Sequence, residues 1–185
     1  ALMLAWCGVT DASFFAGGQL ADVDARLAEI QQFLPEDEVF QSFEVELRVT
    51  GSILSLLLWQ RPQHPWFAIW RQRVLPRLAD ISDLVLLGRI ALDLIQHAVW
   101  TGDYTLAKSM LALLRERMTS DSTPPLAKLH YMLGDIMLSY PQGEPVKILA
   151  KVNAAMELAE RSGIHILTPW IAGQLVLTHL LMFDL

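Results

Sequence analysis

The sequence predicts an all-α fold, a right-handed solenoid of antiparallel helical hairpins, on three observations. Apolar residues keep helical spacing almost throughout, without a convincing alternation of period two. Aromatic residues close successive runs at a nearly fixed interval: Trp59, Trp100, Tyr140 and Phe183 are separated by 41, 40 and 43 residues, with Phe15 a little further back. A polar or Gly/Pro break follows each within a few positions, as in Trp100-Thr101-Gly102-Asp103 and Tyr140-Pro141-Gln142-Gly143. Self-similarity with a period of about 41 residues signals stacked hairpins, and such arrays usually bind partners rather than catalyse.

Each hairpin pairs an A helix with a B helix. The first A helix is expected at 2–16, already apolar at Ala1-Leu2-Met3-Leu4-Ala5-Trp6, and the first B helix at 19–34, where Asp22 and Asp24 suit a helix start. The second A helix is expected at 38–60, preceded by Glu36-Asp37-Glu38, and its B partner at 65–78 behind Pro65. Pro76 cannot sit inside that helix without a break, so it should end or kink near Leu75. The third pair is expected at 82–101 and 104–118, with Arg115 and Arg117 complementing the last turn. The fourth is expected at 124–140 and 145–162, opened by Pro124 and Pro145 and closed by Gly163 as a C′ glycine. A last A helix follows at 168–183, and Thr123 and Thr168, each before a proline, are the expected N-caps.

The B helices carry a second recurrence. Leu106-Ala107-Lys108 and Leu149-Ala150-Lys151 stand 43 residues apart, with Leu20-Ala21 and Phe67-Ala68 at related positions. A small residue there should let the B helix approach its A partner closely. No linker or low-complexity tract divides the chain, which is expected to be a single helical-repeat domain over 1–185. The high apolar share, 53% against 18% charged, suits end repeats that a neighbour covers, so a fragment of a larger multidomain protein is expected.

Composition narrows the function classes. A net charge of −6 argues against direct nucleic-acid contact, which needs clustered Lys and Arg. The lone Cys7 excludes an internal disulfide framework and fits a cytoplasmic setting. Leu84–Trp100 carries Arg89, Asp93 and His97, and uncharged Ile171–Phe183 is only 13 residues long, too short to span a bilayer. Neither is expected to be a membrane helix.

The candidate site is a polar stripe. Arg89, Asp93 and His97 lie four apart on one helical face. Aligned by the period, Arg48 corresponds to Arg89, Ser52 and Asp135 to Asp93, and Tyr131 to Arg89. The stripe thus runs over three A helices, which solenoids commonly use as a concave groove. Its alternative is a solvated face with an Arg89–Asp93 pair contributing about 0.2–0.5 kcal/mol. The remaining histidines, His64, His130, His165 and His179, are scattered, and Trp59, Trp66 and Trp70 read as packing between hairpins rather than a ligand cage. No catalytic residue, metal site or cofactor is expected: Asp93 and His97 lack a clear third ligand, and no P-loop or H-E-x-x-H is present.

Gly102-Asp103-Tyr104-Thr105-Leu106-Ala107 resembles the G-D-Y-x-x-A element of tetratricopeptide (TPR) repeats, and Leu133-Gly134 resembles the paired Leu-Gly of that family. The resemblance implies that Gly102 makes the turn, Asp103 caps the B helix, Tyr104 packs over the hairpin and Ala107 makes a close contact. The period of about 41 exceeds the usual 34. The stretch Met156-Glu157-Leu158-Ala159-Glu160-Arg161-Ser162-Gly163-Ile164-His165 is similar to one in the TPR-like region of MalT-like, LuxR-type bacterial transcriptional regulators, which are signalling ATPases. The likeness covers most of residues 80–185 and is looser over 1–79.

The resemblance implies a non-enzymatic sensor and protein-interaction scaffold in transcription regulation. It would bind a protein or peptide partner or a small-molecule effector, and self-associate. ATP hydrolysis and DNA contact would belong to other modules. Two alternatives stay open: a stand-alone adaptor that binds a peptide or helix, and a helical accessory domain of an enzyme.

Overall fold

The computed structural model describes residues 1–15, 23–34, 39–118 and 120–183. Among these residues the regular structure is all helical, without a strand. The expected Leu20-Ala21 pair, the acidic positions Asp22 and Glu36-Asp37-Glu38, and Asp184 lie outside the described residues. The chain divides into two compact units, Ala1–Asp80 and Ile81–Leu185.

The first unit contains α1 (Leu2–Phe15), α2 (Val23–Gln31), α3 (Phe43–Gln60), α4 (Pro65–Val74) and a 3-10 segment, Leu75–Asp80. Helix α3 is central and packs on α1, α2 and α4. Its start is capped by Ser42, whose hydroxyl accepts from the Val45 amide at 3.3 Å. Leu54, Leu57 and Ile53 are fully buried. Trp6 ties α1 to α2 by donating from Nε1 to the Arg26 carbonyl at 3.1 Å. Helix α4 stops at Val74 and tightens into the 3-10 segment that holds Pro76, where the sequence predicts a break. The His64 Nδ1 accepts from the Trp66 amide at 3.2 Å, so this histidine caps α4.

The second unit contains α5 (Leu84–Thr101), α6 (Tyr104–Met118), α7 (Pro125–Ser139), a 3-10 turn (Tyr140–Gln142), α8 (Pro145–Ser162) and α9 (Thr168–Met182). Asp83 caps α5 through hydrogen bonds from the Val85 and Leu86 amides. The α5–α6 connection is Gly102-Asp103. Gly102 has φ +78°, a left-handed value that disfavours a side chain, and Asp103 accepts from the Leu106 amide at 3.1 Å. So short a connection sets α6 antiparallel to α5. Helix α5 also packs on α7. Gly88 faces His130 and Gly134 faces Ile95, a contact order that runs these two helices parallel.

The buried face of α6 is Ala107, Leu111, Leu114 and Met118, and that of α8 is Ile148, Val152, Ala155 and Ala159. Corresponding members are all 41 residues apart. Helix α2 buries Val23, Leu27 and Ile30 with the same initial spacing. This register corrects the expected match of Ala107 with Ala150. A 43-residue offset is two positions out of phase, so Ala150 is exposed while Ile148 is buried, and Ala68 is exposed as well.

Two caps also differ from expectation. The N-cap of α7 is Pro124 and that of α9 is Leu167, neither with a side-chain cap. With Pro125 as the first helical residue, Pro124 is held at ψ 135°, as a residue before proline prefers. Thr123 is thereby one residue too early, and Thr168 is already helical. Both hydroxyls are buried without a hydrogen-bond partner. Gly163 does close α8 with φ +68°. The aromatic markers Trp59, Trp100 and Phe183 are 37%, 54% and 66% exposed, while Trp70 is buried and meets Phe40 edge-on at 6.1 Å. Tyr104, expected to pack over the hairpin, is exposed.

Candidate functional site

The residues of the predicted stripe fall on α3, α5 and α7. Arg48 belongs to the first unit, where its guanidinium is exposed and paired with Glu44 at 3.2 Å. On α5, Asp93 is buried, while Arg89 and His97 are half-buried. On α7 the positions that meet α5 are His130 and Gly134. Tyr131 and Asp135, the next residues round the helix, turn instead toward α6 and α8. Tyr131 accepts from Arg115 Nε of α6 at 3.3 Å. Asp135 pairs with Lys151 Nζ of α8 at 2.8 Å.

Asp135 lines a cavity of about 260 Å³ between α6 and α7. Lys108 and Arg115, both exposed, line its mouth from α6, seven residues apart and so on one face of that helix. Leu111 and Leu138 give it an apolar floor, and Ser139 and Gln142 its polar end. The Ser139 hydroxyl donates to the Asp135 carbonyl at 2.7 Å and accepts from Lys151 Nζ at 2.8 Å. Lys151 is thus held by Asp135 and Ser139 together. Among the described residues, neither Lys108 nor Arg115 has a carboxylate within ion-pair distance. The hydrogen bond to Tyr131 raises the Arg115 pKa further above its ordinary value.

His130 is the other perturbed group. It is 6% exposed, and its Nδ1 is buried without a hydrogen-bond partner. Burial, assisted by the nearby positive charge of Arg89, pushes its pKa down to about 4. The neutral imidazole therefore serves as a packing element against Gly88 at neutral pH.

Sequence reasoning reached Tyr131 and Asp135 but missed Lys108, Arg115, Ser139, Gln142 and Lys151. One signal for them was present: the repeated Leu-Ala-Lys places Lys108 and Lys151 at similar depths in successive B helices. Among the described residues no group of three or more His, Cys, Asp or Glu is placed to hold a metal ion. One described helix, α5, is long and apolar enough to cross a membrane by length and composition, and 56% of that window is buried inside the protein. No family model, curated protein or solved structure matches the chain.

Proposed function

We propose that this chain is a TPR-like, right-handed helical-repeat scaffold of a bacterial transcriptional regulator, receiving an effector or partner and associating with a second copy of itself. The observation that carries the repeat reading is the common burial register of α6 and α8, four positions each displaced by 41 residues. A repeat array needs that equivalence, because each unit must offer the same apolar side to its neighbour. The regulator assignment rests on the Gly102–Ala107 and Met156–His165 resemblances.

Self-association is supported by α9. Val176, Leu177, Leu180, Leu181 and Met182 are 44–59% exposed, and Thr168–Met182 contains no Asp, Glu, Lys or Arg. An uncharged apolar face can meet its own image across a two-fold axis without like-charge repulsion. A second copy therefore suits it better than a charged partner.

Sedimentation of the wild type and of a Leu177→Glu/Leu181→Glu variant tests the association. Both positions are half-exposed, so the variant should keep its helical circular dichroism. Concentration-dependent association in the wild type and a monomer in the variant are expected. A wild type that stays monomeric at all concentrations overturns the self-association.

A further inference from the structure

We propose that the cavity between α6 and α7 binds a compact organic dianion, a phosphate monoester or short dicarboxylate bearing a small apolar part. This deepens the effector-binding half of the function proposed above and rests on it, but it does not depend on self-association through α9.

Charge sets the ligand class. Among the described residues Asp135 is the one acidic residue on the cavity wall, and it pairs with Lys151 at 2.8 Å. Lys108 and Arg115 bring two positive charges to this wall, neither with a carboxylate within ion-pair distance among the described residues, although Asp135 acts on Arg115 from further off, in a chain whose net charge is −6. They stand two helical turns apart, about 10 Å along the axis, so they flank the ligand rather than crowd one point. The Arg115 Nε already donates to Tyr131, and its Nη groups remain as a fork for two oxygens of an anion. Lys108 supplies a point charge from the other side.

Shape and floor restrict the ligand further. A volume of about 260 Å³ lies below the roughly 300 Å³ at which drug-sized pockets begin. Leu111 and Leu138 give the carbon part of the ligand an apolar surface. A nucleic-acid backbone does not fit these features, because it needs an extended run of cations.

Titration calorimetry of the whole chain with phenyl phosphate, succinate and neutral phenol tests the site. Saturable binding of phenyl phosphate or succinate but not phenol is expected, and the preferred anion identifies the headgroup chemistry. Lys108→Gln and Arg115→Gln should each weaken binding at least tenfold. Arg161→Gln, an exposed site in the last turn of α8, should leave it within twofold. Absence of saturable binding by both anions, or equal weakening by Arg161→Gln, overturns the proposal. Sedimentation of the same samples reports the α9 association separately, so one reading can fail without the other.

Discussion

Gly88 of α5 stands directly against His130 of α7: a Cβ on the glycine would lie 3.0 Å from the histidine Cβ and 3.1 Å from its Nδ1. The imidazole fills the space that a side chain on α5 would take. Two parallel helices approach here because Gly88 carries no side chain and the imidazole facing it is neutral. Gly134 offers the complementary contact on α7, where the nearest atom an added Cβ would meet is the Cδ1 tip of Ile95 at 2.9 Å, with Leu111 Cδ1 at an ordinary 3.7 Å.

The two glycines should therefore respond differently to alanine. At Gly134 the obstacle is the end of a flexible side chain, so Ile95 can rotate away. The helix-propensity gain of about 1 kcal/mol should then leave Gly134→Ala within about 1 kcal/mol of wild type. At Gly88 the nearest obstacle is the His130 Cβ, fixed by the α7 backbone. Overpacking there costs about 1–3 kcal/mol and should exceed the propensity gain. Denaturant midpoints at constant m-value check the pair, and a Gly88→Ala protein as stable as Gly134→Ala would contradict the contact.

His130 makes stability depend on pH. Its folded pKa of about 4 lies below the ordinary 6.5, so the unfolded chain binds a proton first as pH falls. The neutral imidazole's contribution is complete above pH 6.5, is lost progressively toward pH 4, and changes no further below that. A shift of this size corresponds to about 3 kcal/mol. Carboxylates also titrate in the lower part of this window, so the difference between proteins isolates the histidine. His130→Leu should show a flatter stability curve than wild type between pH 6.5 and 4.5, and parallel curves would sink the assignment.

Helix ends set by local chemistry were legible: the Pro76 break, Gly102 with Asp103, and Gly163 depend on residues within a turn of one another. Thr123 and Thr168 were misread because a proline fixes its neighbour's backbone without deciding which residue becomes the first helical one. The surroundings of the stripe residues were not legible for a different reason. Periodicity locates a residue on a helix, but the direction it faces depends on which helices pack there. Asp135 shares its spacing with Asp93, yet Lys151 of α8 claims it. Lys108 and Arg115 had a visible i,i+7 relation, whereas the cavity between them exists only once α7 is in place.

In the first unit, Glu46 should be the most costly surface-proximal charge to remove. Its side chain is 12% exposed and accepts from Arg73 Nε at 2.6 Å and from Arg77 at 3.0 Å. The two guanidinium groups also lie over Phe40 and Phe43, at 5.2 and 3.7 Å. Glu46→Gln leaves both arginines facing a neutral amide. Breaking a buried pair costs about 3–5 kcal/mol, but Arg73 and Arg77 are 25% and 43% exposed, so water recovers part of this. A loss of about 2 kcal/mol by chemical denaturation is expected, and a change below about 0.5 kcal/mol would place the network among ordinary surface pairs.

Tyr140 should govern how firmly α9 is held. Its hydroxyl donates to the Gln174 carbonyl at 3.0 Å and lies 3.2 Å from the Thr178 hydroxyl, which itself donates to the same carbonyl at 2.7 Å. Within α9 only Ile171 and Thr178 are buried, and Trp170 and Leu175 pack half-buried against the core formed with α7 and α8. Tyr140→Phe keeps the ring and removes the hydroxyl, at a cost of about 1 kcal/mol. Because the lost hydrogen bond joins Tyr140 to α9, local opening of that helix should feel it before global unfolding does. Hydrogen exchange should quicken about fivefold in α9 while the amides of α5 change little. Equal acceleration in both helices would mean that Tyr140 supports the whole unit rather than the docking of its last helix.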